Sequence, residues 1–254
     1  MAGIAGLFAK KAANVTNNEL MLKLLKRGKT AAQCKCIDFL YAPLEETKKG
    51  CGSKKKKKKG GCFSKDTSWT MQDYLDHVDV LVNKLNLKQR AIDKIGLDES
   101  QISEIPPVVL HSFIYRGEDV VTKSEESDVE GVWHNVSNKY SVTWIFFSAT
   151  QIYTHTYILD TTSDNVIERT RDFFYTDITC IRTEHEVEEC IYERKEGCGC
   201  FGKQESKFYH RNKEYDTLAI TVPNDSYSFC CLTNDTIEQS IQAAKAMIRE
   251  KKNG

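Results

Sequence analysis

The sequence has 254 residues, of which 40% are hydrophobic and 28% are charged, and its 36 basic and 36 acidic side chains give no net charge. This balance is typical of a globular protein and excludes a collagen-like or wholly disordered chain. A chain of this length has room for one large domain or two smaller ones, each with a hydrophobic core.

The charges are unevenly distributed along the chain. Residues 1–110 contain 20 Lys and Arg against 12 Asp and Glu, a net charge of +8, which residues 111–254 balance with −8. The positive charge is concentrated in the lysine run at 54–59, and such a run repels itself and stays solvated. It predicts either a loop without a dedicated ligand or a site for polyanions or an anionic membrane. The candidate anion- and membrane-binding residues are Lys54, Lys55, Lys56, Lys57, Lys58 and Lys59.

Targeting signals and membrane spans are not evident in the sequence. The apolar stretch at 4–9 is followed by Lys10 and Lys11 and lacks the pattern of a secretory signal. The most apolar internal run, at 144–149, is far shorter than the ~20 residues that cross a bilayer. We therefore expect a cytoplasmic protein without a transmembrane segment, and peripheral membrane contact stays open.

The ten cysteines of an intracellular chain are expected to be free thiols or metal ligands rather than disulfides. Cys34, Cys36, Cys51 and Cys62 would supply the four thiolates of a tetrahedral zinc site, and zinc is the one cofactor that the sequence suggests. Zinc ribbons normally use two Cys-x-x-Cys pairs, and these four cysteines are spaced differently. The alternative is that they line turns and bind no metal. Acylation of Cys51 or Cys62 beside the lysines would give a two-signal membrane anchor.

Helices are predicted in the part of the chain that precedes Pro106. A capping box at 16–19 predicts a short amphipathic helix that ends at Gly28. Thr70 predicts the start of a longer helix, whose apolar stripe continues to about residue 85. Another helix is predicted from about 88 to 95. The consecutive prolines that begin at Pro106 then mark a domain boundary.

Beyond the prolines the hydrophobic pattern changes to period 2, which is typical of strands packed on one face. Turn residues separate the segments, which favours an antiparallel meander. A final amphipathic helix begins at Asn234 or Asp235 and is expected to pack on the sheet through Ile237, Ile241 and Ile248. The predicted strands lie at 109–115, 139–149, 151–160, 166–175, 178–192, 206–211, 215–222 and 226–232.

This run of antiparallel strands closed by one helix resembles the pleckstrin-homology-like superfold, particularly its bacterial and GRAM-type members, over about residues 109–252. The local likeness lies in 144–158, similar to the strand pair in which such domains turn back, and in 173–181, where an aromatic strand precedes an Asp-Ile-x-x-Ile-like sequence. The resemblance implies binding of lipids, peptides or proteins and no catalytic residues. The early strands, 140–160, lack the Lys and Arg cluster of phosphoinositide-binding relatives.

The predicted fold is α+β, with a helical N-terminal region followed by an antiparallel pleckstrin-homology-like β-barrel or sandwich and a C-terminal capping helix. Its expected parts are a basic helical segment with a Lys-, Gly- and Cys-rich loop over 1–66, a helical hairpin over 67–106 and the pleckstrin-homology-like domain over 107–254.

The expected function is non-enzymatic. The sequence contains no phosphate-binding loop, nucleophile elbow or dinucleotide fingerprint, and its histidines, of which His185 is predicted at the surface, lack metal-site spacing. We expect an adaptor that binds a protein partner or an anionic membrane, with the basic segment as an electrostatic tether. The alternative is a nucleic-acid-binding or zinc-dependent interaction protein, although few aromatic residues accompany the lysines for base stacking.

Overall fold

The computed structural model describes residues 20–41, 69–98, 106–126, 133–196, 205–231 and 235–253. Besides a helical segment at 20–25, the helices are α1 (Ala31–Tyr41), α2 (Met71–Lys84), α3 (Leu87–Ile95) and α4 (Asp235–Asn253). The strands are β1 (Val108–Phe113), β2 (Thr122–Glu126), β3 (Trp133–Ser137), β4 (Lys139–Phe147), β5 (Gln151–Asp160), β6 (Val166–Phe174), β7 (Cys180–Glu196), β8 (Glu205–Val222) and β9 (Asp225–Cys231).

The described strands pair in antiparallel fashion and form three separate sheets. One sheet has the order β1-β4-β5-β6, a second has the order β7-β8-β9, and β2 and β3 form a hairpin of their own. The α+β class and the antiparallel sheets agree with the prediction. The described strands do not form the predicted closed barrel, because their sheets remain separate.

The main core lies between the two larger sheets. Ile145 and Ile152 of the four-stranded sheet pack against Ile220 of the three-stranded sheet, and Ile241 and Ile248 of α4 complete the cluster. This arrangement follows from strand alternation, which directs every second side chain to the same face. The predicted packing of the last helix through Ile241 and Ile248 is confirmed.

The opposite face of the four-stranded sheet is covered by helices. Val142 and Tyr157 belong to a second core cluster that also contains Phe39 of α1 and Tyr74 of α2. The Tyr74 hydroxyl is buried and donates a hydrogen bond to the Ser137 carbonyl at 2.7 Å. The central strands β4 and β5 are therefore buried on both faces, and the helices dock on them.

The ends of α2 and α3 agree with their sequence signals. Thr70 caps α2, and its capping box with Asp73 is complete in both directions. Gly96 ends α3 in the left-handed conformation, with φ of 75°, which glycine adopts without steric cost.

Two features of the sheets differ from the prediction. The β2–β3 hairpin was not predicted, since β2 is short and consists of Thr, Lys, Ser and Glu. It is held to α1 by Lys123, whose ammonium donates to the Phe39 carbonyl at 3.0 Å and lies 4.0 Å from the centre of the Phe39 ring.

The strands predicted at 206–211 and 215–222 form one strand of 18 residues, β8. No Gly or Pro separates them, and β7 pairs with β8 along its whole length. By contrast, β9 pairs only with residues 216–222 of β8. The remainder of the β7–β8 hairpin is a two-stranded ribbon that extends beyond the sheet.

Candidate functional site

The predicted anion-binding run at 54–59 lies outside the described residues, as do Cys51 and Cys62. The anion-binding and zinc proposals for these residues therefore stay predictions. The described part of the same region contains Cys34 and Cys36, both on α1, and the helical segment at 20–25.

The two cysteines of α1 occupy different environments, because helical residues two positions apart do not share a face. Cys36 is buried in the core beneath the sheet, and this burial raises the pKa of its thiol to about 12. Cys34 is half-buried, and its thiol donates to the Lys26 carbonyl at 3.8 Å. For both thiols to bind a single ion, α1 would have to unwind locally.

Metal binding finds no other support in the part of the chain that the structure describes. Those residues contain no group of three or more His, Cys, Asp or Glu arranged to hold an ion. His185, predicted at the surface, is exposed there and pairs with Asp216 through Nδ1 and Oδ1 at 2.8 Å.

An apolar and basic surface is formed by the helical segment at 20–25 and the turn that follows it. Leu20, Met21 and Leu24 are 56%, 54% and 61% exposed. Lys23 and Arg27 are exposed beside them. We call these five residues the N-terminal surface. Large apolar side chains grouped in this way on a protein surface indicate an interaction site, whereas scattered ones do not.

The N-terminal surface is attached to the rest of the molecule through α1. Lys26 forms an ion pair with Asp38 of α1. Thr30 and Gln33 cap the start of α1 reciprocally, and the Gln33 side-chain amide donates to Asp164 after β5 at 2.7 Å. The Thr-x-x-Gln capping box is the sequence signal for α1, which the hydrophobic pattern of this region does not predict.

A charged cluster lies between α3 and the four-stranded sheet. The Arg90 guanidinium donates from Nε to Oε1 of Glu168 at 2.7 Å and from its terminal nitrogen to Oε2 at 2.9 Å. His155 Nε2 lies 2.8 Å from the same Oε1, and Lys94 Nζ lies 3.8 Å from Oε2. The hydrogen bonds from Arg90, more than any other contact, lower the pKa of Glu168 to about 2.

This cluster is suited to forming stable ion pairs rather than to transferring protons. A general base needs a free lone pair directed at a substrate, and Arg90 and His155 already occupy the carboxylate oxygens of Glu168. His155 is fully buried in the sheet. Among the described residues its Nδ1 has no hydrogen-bond partner. We interpret the cluster as an electrostatic clamp that fixes α3 on β6.

The sequence signal for this clamp was weak. His155 interrupts an otherwise apolar and threonine-rich strand, and Glu168 stands in a charged run with Arg169. Neither position indicates its partner, because Arg90 lies in a different element 78 residues earlier than Glu168.

None of the described helices is sufficiently long and apolar to cross a membrane. Comparisons with protein-family models, with curated proteins and with solved structures found no significant match to this chain. Its function is therefore inferred from its own surfaces and contacts.

Proposed function

We propose that the chain is a non-enzymatic binding protein that attaches peripherally to an anionic membrane, such as the cytoplasmic leaflet, through its basic N-terminal region. The observation that carries the proposal is the N-terminal surface, in which Leu20, Met21 and Leu24 are exposed beside Lys23 and Arg27. Interfacial helices combine these two chemistries, since the apolar side chains enter the boundary of the bilayer and the basic ones face its headgroups.

The lysine run at 54–59 supplies the second part of the attachment. Each Lys near an anionic surface contributes about 1 kcal/mol, an effect that falls off within a Debye length. Each large apolar side chain buried at the interface adds an increment of about 1.5–3 kcal/mol when burial is complete. The two contributions together are sufficient for reversible binding that depends on salt.

We further propose that residues 107–254 form a pleckstrin-homology-like domain. The order of elements supports this assignment, because a four-stranded antiparallel sheet is followed by a three-stranded one and then by a helix. Ile241 and Ile248 place that helix against the core between the sheets. In this proposal the β2–β3 hairpin is an insertion between the first two strands of the domain.

Co-sedimentation of the full chain with vesicles tests the membrane proposal. We expect binding to vesicles that contain phosphatidylserine, little binding to phosphatidylcholine alone, and loss of binding at high salt. Changing all lysines at 54–59 to Gln is expected to weaken binding by about tenfold or more. The substitutions L20N and L24N, made together, are expected to do the same.

Matched variants separate these effects from unfolding. Arginines at 54–59 preserve the charge and are expected to preserve binding. V80N removes an exposed apolar side chain from α2, outside the N-terminal surface, and is expected to change nothing. Equal binding to neutral vesicles, or none to either kind, would contradict the proposal. Retention of polynucleotide by the same lysines without vesicle binding would favour the nucleic-acid alternative.

A further inference from the structure

The outer edge of β6 is unpaired in the part of the chain that the structure describes. β6 is an edge strand of the four-stranded sheet, and all nine of its residues pair with β5 on the inner side. An edge of this length presents a row of backbone donors and acceptors on which another strand can form.

The hydrogen bonds around β6 show which backbone groups face outward. The Asn165 carbonyl accepts from the Asp160 amide, and the Tyr175 amide donates to the Thr150 carbonyl. The Arg171 carbonyl accepts from the side-chain hydroxyl of Thr154 on β5. The odd-numbered residues therefore direct their backbone groups toward β5. Because these directions alternate in an antiparallel strand, the even-numbered residues direct theirs to the free edge. These residues are Val166, Glu168, Thr170, Asp172 and Phe174, of which the Phe174 carbonyl is used by the following turn.

Three large apolar side chains of β6 are exposed, although the middle of the strand is polar and charged. Val166, Ile167 and Phe174 are 52%, 41% and 54% exposed. They lie at the two ends of β6, so that an added strand could bury its own apolar side chains against them.

The basic side chains between the two ends of β6 favour an acidic ligand. Arg169 is exposed, and among the described residues it has no ion pair. Arg171 lies on the same face, with its guanidinium 4.6 Å from the centre of the Tyr227 ring, and the nearby Asp225 offsets part of its charge, so Arg169 is the main cation of this edge. Glu168 is already neutralised by Arg90. The exposed Asp172 is the remaining acidic residue of the strand.

A second copy of β6 does not fit this edge in a fully overlapped antiparallel register. Such pairing centres on Thr170, so that Arg169 faces the second copy's Arg171 and Glu168 faces its Asp172. Like charges directly opposite each other destabilise strand pairs. The edge therefore favours a strand of different sequence.

We propose that the free edge of β6 binds an extended, acidic segment of a partner protein by strand addition, with acidic side chains beside Arg169 and Arg171 and apolar ones at the strand ends. Main-chain hydrogen bonds supply affinity in this mode of recognition, and alternate side chains supply specificity. The site is separate from the N-terminal surface, so the failure of either proposal leaves the other standing.

Fluorescence anisotropy of the full chain with a labelled synthetic peptide tests this inference. The probe alternates Val and Glu and has the length of β6. We expect it to bind, and we expect a version with Lys in place of Glu to bind at least about tenfold more weakly. A version N-methylated on its Val amides should lose binding by a similar factor, because the Val residues lie opposite the even-numbered, outward-facing residues of β6 when the Glu residues lie beside Arg169 and Arg171. Methylation removes these main-chain donors and preserves the charge.

Variants of the protein locate the site. R169E together with R171E is expected to weaken binding of the Glu peptide by about tenfold or more and to improve binding of the Lys peptide. T170P removes one outward amide and leaves the ladder with β5 intact, since proline is tolerated at outward positions of edge strands. It should also weaken binding, whereas T170V, which keeps the amide, should not.

The N-methylated peptides test the unmodified protein, so the result does not depend on the folding of any variant. Equal binding of the methylated and unmethylated Glu peptides would overturn strand addition. Equal binding by the R169E/R171E variant, no binding of the Glu peptide at all, or self-association that T170P abolishes would overturn the assignment of an acidic partner to this edge.

Discussion

Arg90 and Glu168 join the helical layer to the edge of the four-stranded sheet by two parallel hydrogen bonds of 2.7 and 2.9 Å. His155 contacts the same carboxylate from within the sheet at 2.8 Å. The Glu168 side chain is 19% exposed and the Arg90 side chain 41%, so water screens this pair in part, though less than a fully exposed ion pair. The clamp therefore makes testable contributions to stability.

Replacing Glu168 by Gln is expected to lower the free energy of unfolding by about 2 kcal/mol, since the substitution leaves Arg90 and His155 without their anion. Urea denaturation of both proteins measures the difference. E118Q, at an exposed position outside the clamp, is the control and should change stability by less than about 0.5 kcal/mol. Equal effects of the two substitutions would show that the clamp contributes nothing.

The contribution of Glu168 should depend on pH in a defined direction. Its pKa is lowered from 4.5 to about 2 in the folded protein, so the carboxylate binds a proton more readily in the unfolded chain. The stabilisation is therefore fully present above pH 4.5 and is lost as the pH falls toward 2. The difference in unfolding free energy between the native protein and E168Q should be constant near neutrality and should shrink below pH 4.5. A difference that stays constant throughout this acid range would contradict the assigned cause.

The Tyr74 hydroxyl should contribute measurably to the docking of α2. Its buried hydroxyl lies 2.7 Å from the Ser137 carbonyl and 2.8 Å from Thr161 Oγ1. Y74F leaves the Ser137 carbonyl buried and without this donor, and it is expected to lower the free energy of unfolding by about 1–2 kcal/mol. Thermal and urea denaturation measure this loss. Y41F is the control, because among the described residues the Tyr41 hydroxyl has no hydrogen bond, and it should have a much smaller effect.

The cysteines should differ in reactivity. The thiolate is the reactive form, and burial raises the pKa of Cys36 to about 12, whereas Cys180 is exposed. A short pulse of N-ethylmaleimide followed by peptide mass spectrometry should label Cys180 in the folded protein and Cys36 only after denaturation. Fast labelling of Cys36 would indicate that α1 opens readily, which would also make a zinc site with Cys34 accessible.

Local signals in the sequence predicted much of the fold. The N-cap at Thr70, the glycine at position 96 and the strand at 151–160 were each predicted from signals within a few residues, and each is confirmed. The Thr-x-x-Gln box that begins α1 is a signal of the same kind, but the brief apolar stretch at 36–44 was not predicted to be helical.

Local signals of this kind do not predict contacts between elements that are far apart in the sequence. Lys123 has the character of a surface residue in the sequence, and its contact with Phe39 depends on how α1 docks beside β2. The partner of Glu168 likewise depends on how α3 docks. The exposed edge of β6 could not be predicted either, because strand order in a sheet is set by tertiary packing rather than by the pattern of any one strand.

The ribbon formed by β7 and β8 beyond the end of β9 should open locally before the sheets do. It extends about 30 Å at about 3.3 Å per residue, and among the described strands no third strand pairs with it. A two-stranded ribbon is marginally stable alone. Its outer amides should therefore exchange with solvent through local unzipping, at rates that decline toward the sheet, while the rest of the chain stays folded.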